Sequence, residues 1–146
     1  MKIAITGHRP QRLCGKEMEV YKWFKEKFAE LRPEEVIVGM ARGVDQVAAQ
    51  AARDMKIPYL CVYPFRKKSF GFEEHLLVEN SAGVIYLADK YIEGCYTARD
   101  RYMVDRADKV LAVWDGKPGG GTYYTMNYAN DNDKLEDTYI IKGNKN

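Results

Sequence analysis

The apolar positions fall into short β-branched runs that alternate with longer stretches of helical spacing. Lys2–Thr6 reads as a strand that stops at Gly7. Glu17–Leu31 sets Val20, Phe24, Phe28 and Leu31 on one face at i, i+4, i+8 and i+11, and Pro33 closes the helix. Glu35–Val38 predicts a second strand, ending at Gly39. Val44–Met55 predicts a helix with Val44, Val47, Ala51 and Met55 on one stripe, and its alanines predict close packing on a sheet. Tyr59–Tyr63 is a third strand ended by Pro64, followed by the basic loop Arg66-Lys67-Lys68-Ser69. Glu73–Asn80 predicts a short helix and Val84–Leu87 a strand. Thr97–Ala107 predicts a helix with Ala98, Tyr102 and Met103 turned inward. Lys109–Trp114 predicts a strand, Gly121–Ala129 a helix and Thr138–Ile141 a last strand, and the polar tail Lys142–Asn146 is expected to fray.

Alternation of this kind implies βαβ crossovers, hence an α/β fold with a mainly parallel sheet and helices on both faces. At 146 residues the chain fits one domain, which can bury a cooperative core without staples. With 46% apolar and 30% charged residues it is ordinarily globular. Lys plus Arg number 23 and Asp plus Glu 21, a net charge of +2 that gives no support to a polyelectrolyte partner. No apolar run approaches the ~20 residues of a membrane span, and the start is too soon polar for a signal peptide. A cytoplasmic location follows as the expectation. Cys14, Cys61 and Cys95 form no CxxC pair, and with only His8 and His75 beside them a metal site is not expected.

The candidate chemistry lies in loops after strands, where ligands of open α/β sheets sit. Gly119-Gly120-Gly121-Thr122 follows the fifth strand and opens a helix. Glycines there let backbone N–H groups approach an anion, and the helix dipole points to the same place. The same loop carries Asp115 and Gly116. Gly39-Met40-Ala41-Arg42-Gly43-Val44-Asp45 is a second glycine loop opening a helix; it is neither a GxGxxG fingerprint nor a P-loop. Asp45 suits either a helix cap or a ribose hydroxyl, and Arg42 either a phosphate or solvent. After the first strand, Gly7-His8-Arg9-Pro10 offers a guanidinium fork and an imidazole with no visible carboxylate partner. Arg99 opens a helix, where a cation is electrostatically unfavourable, so an anionic partner is expected. Tyr123 and Tyr124 follow the glycines, where an aromatic ring suits base stacking.

Four blocks in this order carry a resemblance: Ile3-Ala4-Ile5-Thr6-Gly7-His8-Arg9-Pro10, Gly39 to Asp45, Ala98-Arg99-Asp100-Arg101-Tyr102-Met103-Val104, and Trp114-Asp115-Gly116 with Gly119 to Thr122. They resemble the YpsA-type branch of the SLOG superfamily over about residues 3–130, a group that also includes DprA-like proteins and the "lonely guy" (LOG) phosphoribohydrolases. The resemblance implies a single Rossmann-like three-layer domain that binds a nucleotide or nucleotide-derived ligand, ADP-ribose-like or a second messenger. It would act as a sensor or a sequestering protein, with a link to bacterial or phage conflict, in which case the location would be a host cytoplasm. It further implies Gly7, His8, Arg9, Gly39, Arg42, Gly43, Asp45, Arg99, Asp115, Gly119, Gly120, Gly121 and Thr122 as ligand-binding residues, with no cofactor and no metal.

LOG enzymes carry the motifs RKxxM and PGGxGTxxE. Arg99 and Met103 match the first, but Thr125 stands at the position of the catalytic Glu in the second. Threonine supplies neither a charge for an oxocarbenium-like transition state nor a base, so a LOG-like N-glycosidase is the alternative and binding the main expectation. Asp45 and Asp115 are the acids left to substitute for that Glu. A DprA-like role in DNA processing is disfavoured by the charge balance, so nucleic acid is not expected as a partner. A homo-oligomer is expected, with Trp23 and Tyr102 as interface aromatics.

Overall fold

The structure, a computed structural model, describes residues 1–142. The tail expected to fray therefore falls, from residue 143 on, outside the described residues. The strands are β1 (Lys2–Gly7), β2 (Glu35–Val38), β3 (Tyr59–Tyr63), β4 (Gly83–Tyr86), β5 (Lys109–Trp114) and β6 (Leu135–Ile140). Between them run α1 (Glu17–Leu31), α2 (Val44–Asp54), α3 (Phe72–Glu79), α4 (Cys95–Arg106) and α5 (Gly120–Asp131). A single 3₁₀ turn, Pro10–Arg12, follows β1 and has proline in its first turn, where the lost N–H costs nothing.

The six strands form one sheet in the order β4-β3-β2-β1-β5-β6, and every neighbouring pair is parallel. The expected α/β three-layer architecture is thus present, with a sheet parallel throughout. From β1 the chain winds outward to β4, then returns to lay β5 on the other side of β1. The loops leaving β1 and β5 therefore part in opposite directions and open a crevice between them.

Burial explains the elements. Val20, Phe24 and Phe28 of α1 are buried in one core with Val36, Val38 and Leu77, on the face covered by α1, α2 and α3. Each such side chain contributes about 1.5–3 kcal/mol by leaving water. Met103 and Val104 of α4 and Ala129 of α5 bury against Val62 and Val110 on the other face. Ala48, Ala49, Ala51 and Ala52 are fully buried, as the alanine content of α2 predicts. The start of α2 presses so closely on β1 that a Cβ at Gly7 would lie 2.3 Å from Val44 Cγ1.

Two expectations need correction. β6 starts at Leu135 rather than Thr138, because pairing with β5, through an irregularity at Val110/Leu111, draws in a polar edge segment with no strand-like pattern of its own. Trp23 and Tyr102 are not free interface aromatics. Trp23 is half-buried against Phe24 and Tyr139, and Tyr102 packs on the second core. The large apolar side chains that do stay exposed include Phe72, Tyr91 and Ile92. Among the described residues no helix is long and apolar enough to cross a membrane.

Candidate functional site

The crevice between β1 and β5 is a cleft of about 460 Å³. Three of the glycine-bearing loops meet there. Gly7, His8 and Arg9 line it from the end of β1, and Ala41 and Asp45 from the β2 loop and α2. Arg99 enters from α4, and Gly121 and Thr122 from the first turn of α5. Gly39 and Arg42 line a neighbouring cleft instead, which shares Arg9 and Arg99 with the first. Gly43, Asp115, Gly119 and Gly120 line neither and act on the shape of the loops.

Gly119 and Gly120 have φ of 98° and 88°, so the turn into α5 uses backbone that L side chains rarely adopt. No side chain caps α5, and its first-turn amides are left for a ligand or solvent. Gly43, with φ of 97°, lets the β2 loop cross the β1 loop; Val44 N–H donates to the His8 carbonyl across 3.1 Å.

Several residues expected to touch ligand are engaged within the protein. Arg12 grips Asp115 with two bonds, Nε to Oδ2 at 2.7 Å and Nη2 to Oδ1 at 2.8 Å. Burial pushes the Asp115 carboxyl up, but Arg12, the Lys117 amide and His8 outweigh it and hold it at about 2. That ion pair engages both carboxylate oxygens of Asp115, which lines neither cleft. His8 is buried, and its Nε2 accepts the Asp115 N–H at 3.2 Å. The Asp115 Oδ1 stands 3.3 Å from the same nitrogen. Burial lowers the His8 pKa, Arg12 adds to this, and Asp115 opposes it. His8 is thus a neutral brace between two loops. Arg99 Nη1 donates to the Gly39 carbonyl at 2.7 Å and to the Val62 carbonyl at 3.3 Å, and its Nε to Asp100 Oδ1 at 2.8 Å. Its buried charge therefore serves the fold as well as the cleft wall.

Arg9 is different: it is exposed and borders both clefts, and among the described residues no acidic side chain forms an ion pair with it. Thr125, at the LOG glutamate position, is buried and donates to the Gly121 carbonyl at 2.8 Å. Tyr123 stacks on Trp114, Tyr124 is held through its hydroxyl by Arg101, and neither lines either cleft.

Asp45 does not cap α2. Its Oδ2 accepts the Ala41 N–H at 3.2 Å, bracing the β2 loop. Burial raises its pKa from 3.8 to about 7, against the pull of Arg99 and Arg9, while Asp100 pushes it further up. The folded carboxyl therefore holds its proton well above the pH at which the unfolded one loses it. Its contribution to stability is fully present below about pH 4 and is lost as pH rises to about 7. Asp45→Asn is expected to flatten the fall in unfolding free energy between about pH 4 and 7 and to exceed the wild type at the upper end. Urea titrations at several pH values check this, and parallel curves for the two proteins would show that Asp45 ionises normally.

Sequence reading missed Arg12, Tyr96 and the inward role of Asp100. Asp100 passes for a favourable first-turn acid, but burial raises its pKa against the pull of Arg99. The one sequence signal for Arg12 was Pro10, which starts the turn that aims it.

No protein-family profile matches the chain, and no curated protein matches it by sequence. Solved structures do match. DNA processing protein A from Streptococcus pneumoniae superposes with a TM-score of 0.72 at 19% identity, over 93% of this chain and 49% of that one. DNA processing protein A from Helicobacter pylori, described for its single-stranded DNA binding mode, gives 0.68 at 22% identity, over 94% and 64%. The molybdenum cofactor carrier protein of Chlamydomonas reinhardtii gives 0.64 at 16% identity, over 94% and 77%. This chain thus spans about half the length of the first of these. At such identities the likeness shows a shared Rossmann-like fold. The charge-balance argument against a nucleic-acid partner loses its force here, because a protein of this fold binds single-stranded DNA.

Proposed function

We propose that the protein binds a nucleotide or nucleotide-derived small molecule, with its phosphate at the first turn of α5, and that it acts by sensing or sequestering that ligand. The observation that carries this is the meeting of the β1, β2 and β5 loops at the switch in strand order, beside an uncapped helix start and the unpaired Arg9. Backbone amides and a guanidinium converging on one crevice suit phosphate. The resemblance to SLOG proteins, and within them to the YpsA-type branch, supports the same reading, and the fold shared with DNA processing protein A agrees with it.

Gly121 offers the test. Its φ is not positive, and a Cβ there would have Asp100 Oδ2 at 4.0 Å as its nearest neighbour. A side chain larger than methyl would occupy the phosphate position without straining the loop. Gly121→Val is expected to weaken binding of nucleoside 5′-monophosphates at least about tenfold, the loss of one charge-assisted hydrogen bond. Its unfolding midpoint is expected to stay near that of the wild type. Calorimetry with unchanged affinity would place the phosphate elsewhere.

One observation favours a second reading, a LOG-like nucleoside 5′-monophosphate phosphoribohydrolase. Asp45 keeps a proton to about pH 7 at the cleft, where a general acid toward a leaving base would stand. The binding reading expects no free base after incubation with 5′-nucleotides. Base release that disappears in Asp45→Asn would replace it with the hydrolase.

A further inference from the structure

A second cleft, of about 350 Å³, adjoins the first and has a different lining. Arg9, Ala41, Tyr96 and Arg99 border both, so the two lie side by side. Its aromatic wall is Phe65, which meets Tyr96 edge-on at 6.1 Å and Tyr91 at 5.9 Å. Tyr96, which lines the cleft, is 43% exposed, and Tyr91 behind Phe65 is 60% exposed. At the floor is Glu74, a carboxylate only 6% exposed. Its Oε2 accepts the Tyr63 hydroxyl at 2.6 Å, and its Oε1 accepts Lys67 Nζ at 2.7 Å. A carboxylate has about four acceptor positions and an ammonium three donors, so both retain bonding capacity toward the cleft.

Resting on the nucleotide-binding reading, we propose that this second cleft holds the base of the ligand and that the base is a 6-oxopurine. A flat ring suits the aromatic wall, and the polar pair decides which ring. A 6-oxopurine presents an oxygen next to an N–H on one edge; guanine adds an amino group beside that. The oxygen meets the Lys67 ammonium, and the N–H donors meet the Glu74 carboxylate. Adenine presents the reverse order, an amino group toward the cation and a ring-nitrogen acceptor toward the carboxylate. Both contacts then oppose like polarity, and at the buried Glu74 carboxylate an unmatched contact is costly. The phosphate end runs past Arg9 into the first cleft.

Calorimetry on the whole chain with GMP, AMP and ribose 5-phosphate tests this. GMP is expected to bind at least about tenfold more tightly than AMP or ribose 5-phosphate. In Glu74→Gln and in Phe65→Ala, each checked for folding by its unfolding midpoint, the ratio of GMP to ribose 5-phosphate affinity is expected to collapse. If ribose 5-phosphate binds and GMP gains nothing over it, or AMP equals GMP, the base subsite is wrong while the phosphate cleft stands. If none of the three probes binds, the nucleotide-binding reading falls, and this inference with it. The comparison of probes on the unaltered protein decides the matter even where a variant fails to fold.

Discussion

Arg99→Ala is expected to lower the unfolding free energy by about 3–5 kcal/mol, the usual loss when one partner of a buried charged pair is removed. For a chain of this size that is a fall in melting temperature on the order of 10 °C. Arg99 is 7% exposed and reaches from α4 to the carboxyl ends of β2 and β3 through the Gly39 and Val62 carbonyls. Without it those carbonyls lose a donor, and Asp100 loses the guanidinium paired with it at 2.8 Å. Asp45, already hard to ionise, loses its strongest positive neighbour. Arg99→Lys keeps the charge but cannot span two carbonyls and a carboxylate at once, so an intermediate loss is expected. Gly39 sets the space for this group, since a Cβ there would stand 2.8 Å from Arg99 Nη1. Thermal unfolding of both variants measures the effect. A midpoint within about a degree of wild type in Arg99→Ala would show that the network does not hold the strand ends together.

Gly43→Ala is expected to cost about 3 kcal/mol. At φ of 97° and ψ of −127°, outside even the left-handed helical region, an L residue loses about 1–3 kcal/mol from its own sterics. The new Cβ would also lie 2.5 Å from the His8 carbonyl oxygen and 3.0 Å from Arg9 Cα, and backbone atoms cannot swing aside as a side chain can. Overpacking of that kind adds about 1–3 kcal/mol. Gly15 supplies the control: its φ is 72°, but nothing lies within 4 Å of its added Cβ. Gly15→Ala should therefore show the conformational cost alone, about 1 kcal/mol. Urea midpoints of the two variants read the difference, and equal losses would mean that the crossing of the β1 and β2 loops relaxes at no cost. Because the same crossing places His8 and Arg9 at the cleft, weaker nucleotide binding is expected to accompany Gly43→Ala.

The parallel sheet was legible because its inner strands are buried on both faces and need continuous apolar runs. The ends of β2, β3 and β5 coincide with such runs, whereas the polar start of β6 does not. The glycine loops were legible for a similar reason, since positive φ and close approach leave glycine little competition. The roles of the charged residues were not. Arg99, His8 and Asp115 read as ligand contacts, yet each meets a partner far along the chain: Arg99 the carbonyls of Gly39 and Val62, His8 and Asp115 each other's loop, Asp115 also Arg12. Lys67 read only as part of a basic loop, and nothing local singled out Glu74.

Local pattern by itself determined the alternation of strands and helices, the apolar face of each helix and the positions where backbone must turn without a side chain. These depend on periods of two and 3.6 residues and on the conformational freedom of single residues, all of which are written locally. Only the tertiary structure decided which charged side chains meet across the loops, because the strand order places β5 beside β1 and leaves β4 at the far edge. That order determines that Arg12 finds Asp115 while Arg9 stays open to the cleft, and that Asp45 is buried deeply enough to keep its proton against the pull of Arg99. Charges act through distance and desolvation, and both are properties of the packed molecule rather than of any segment of it.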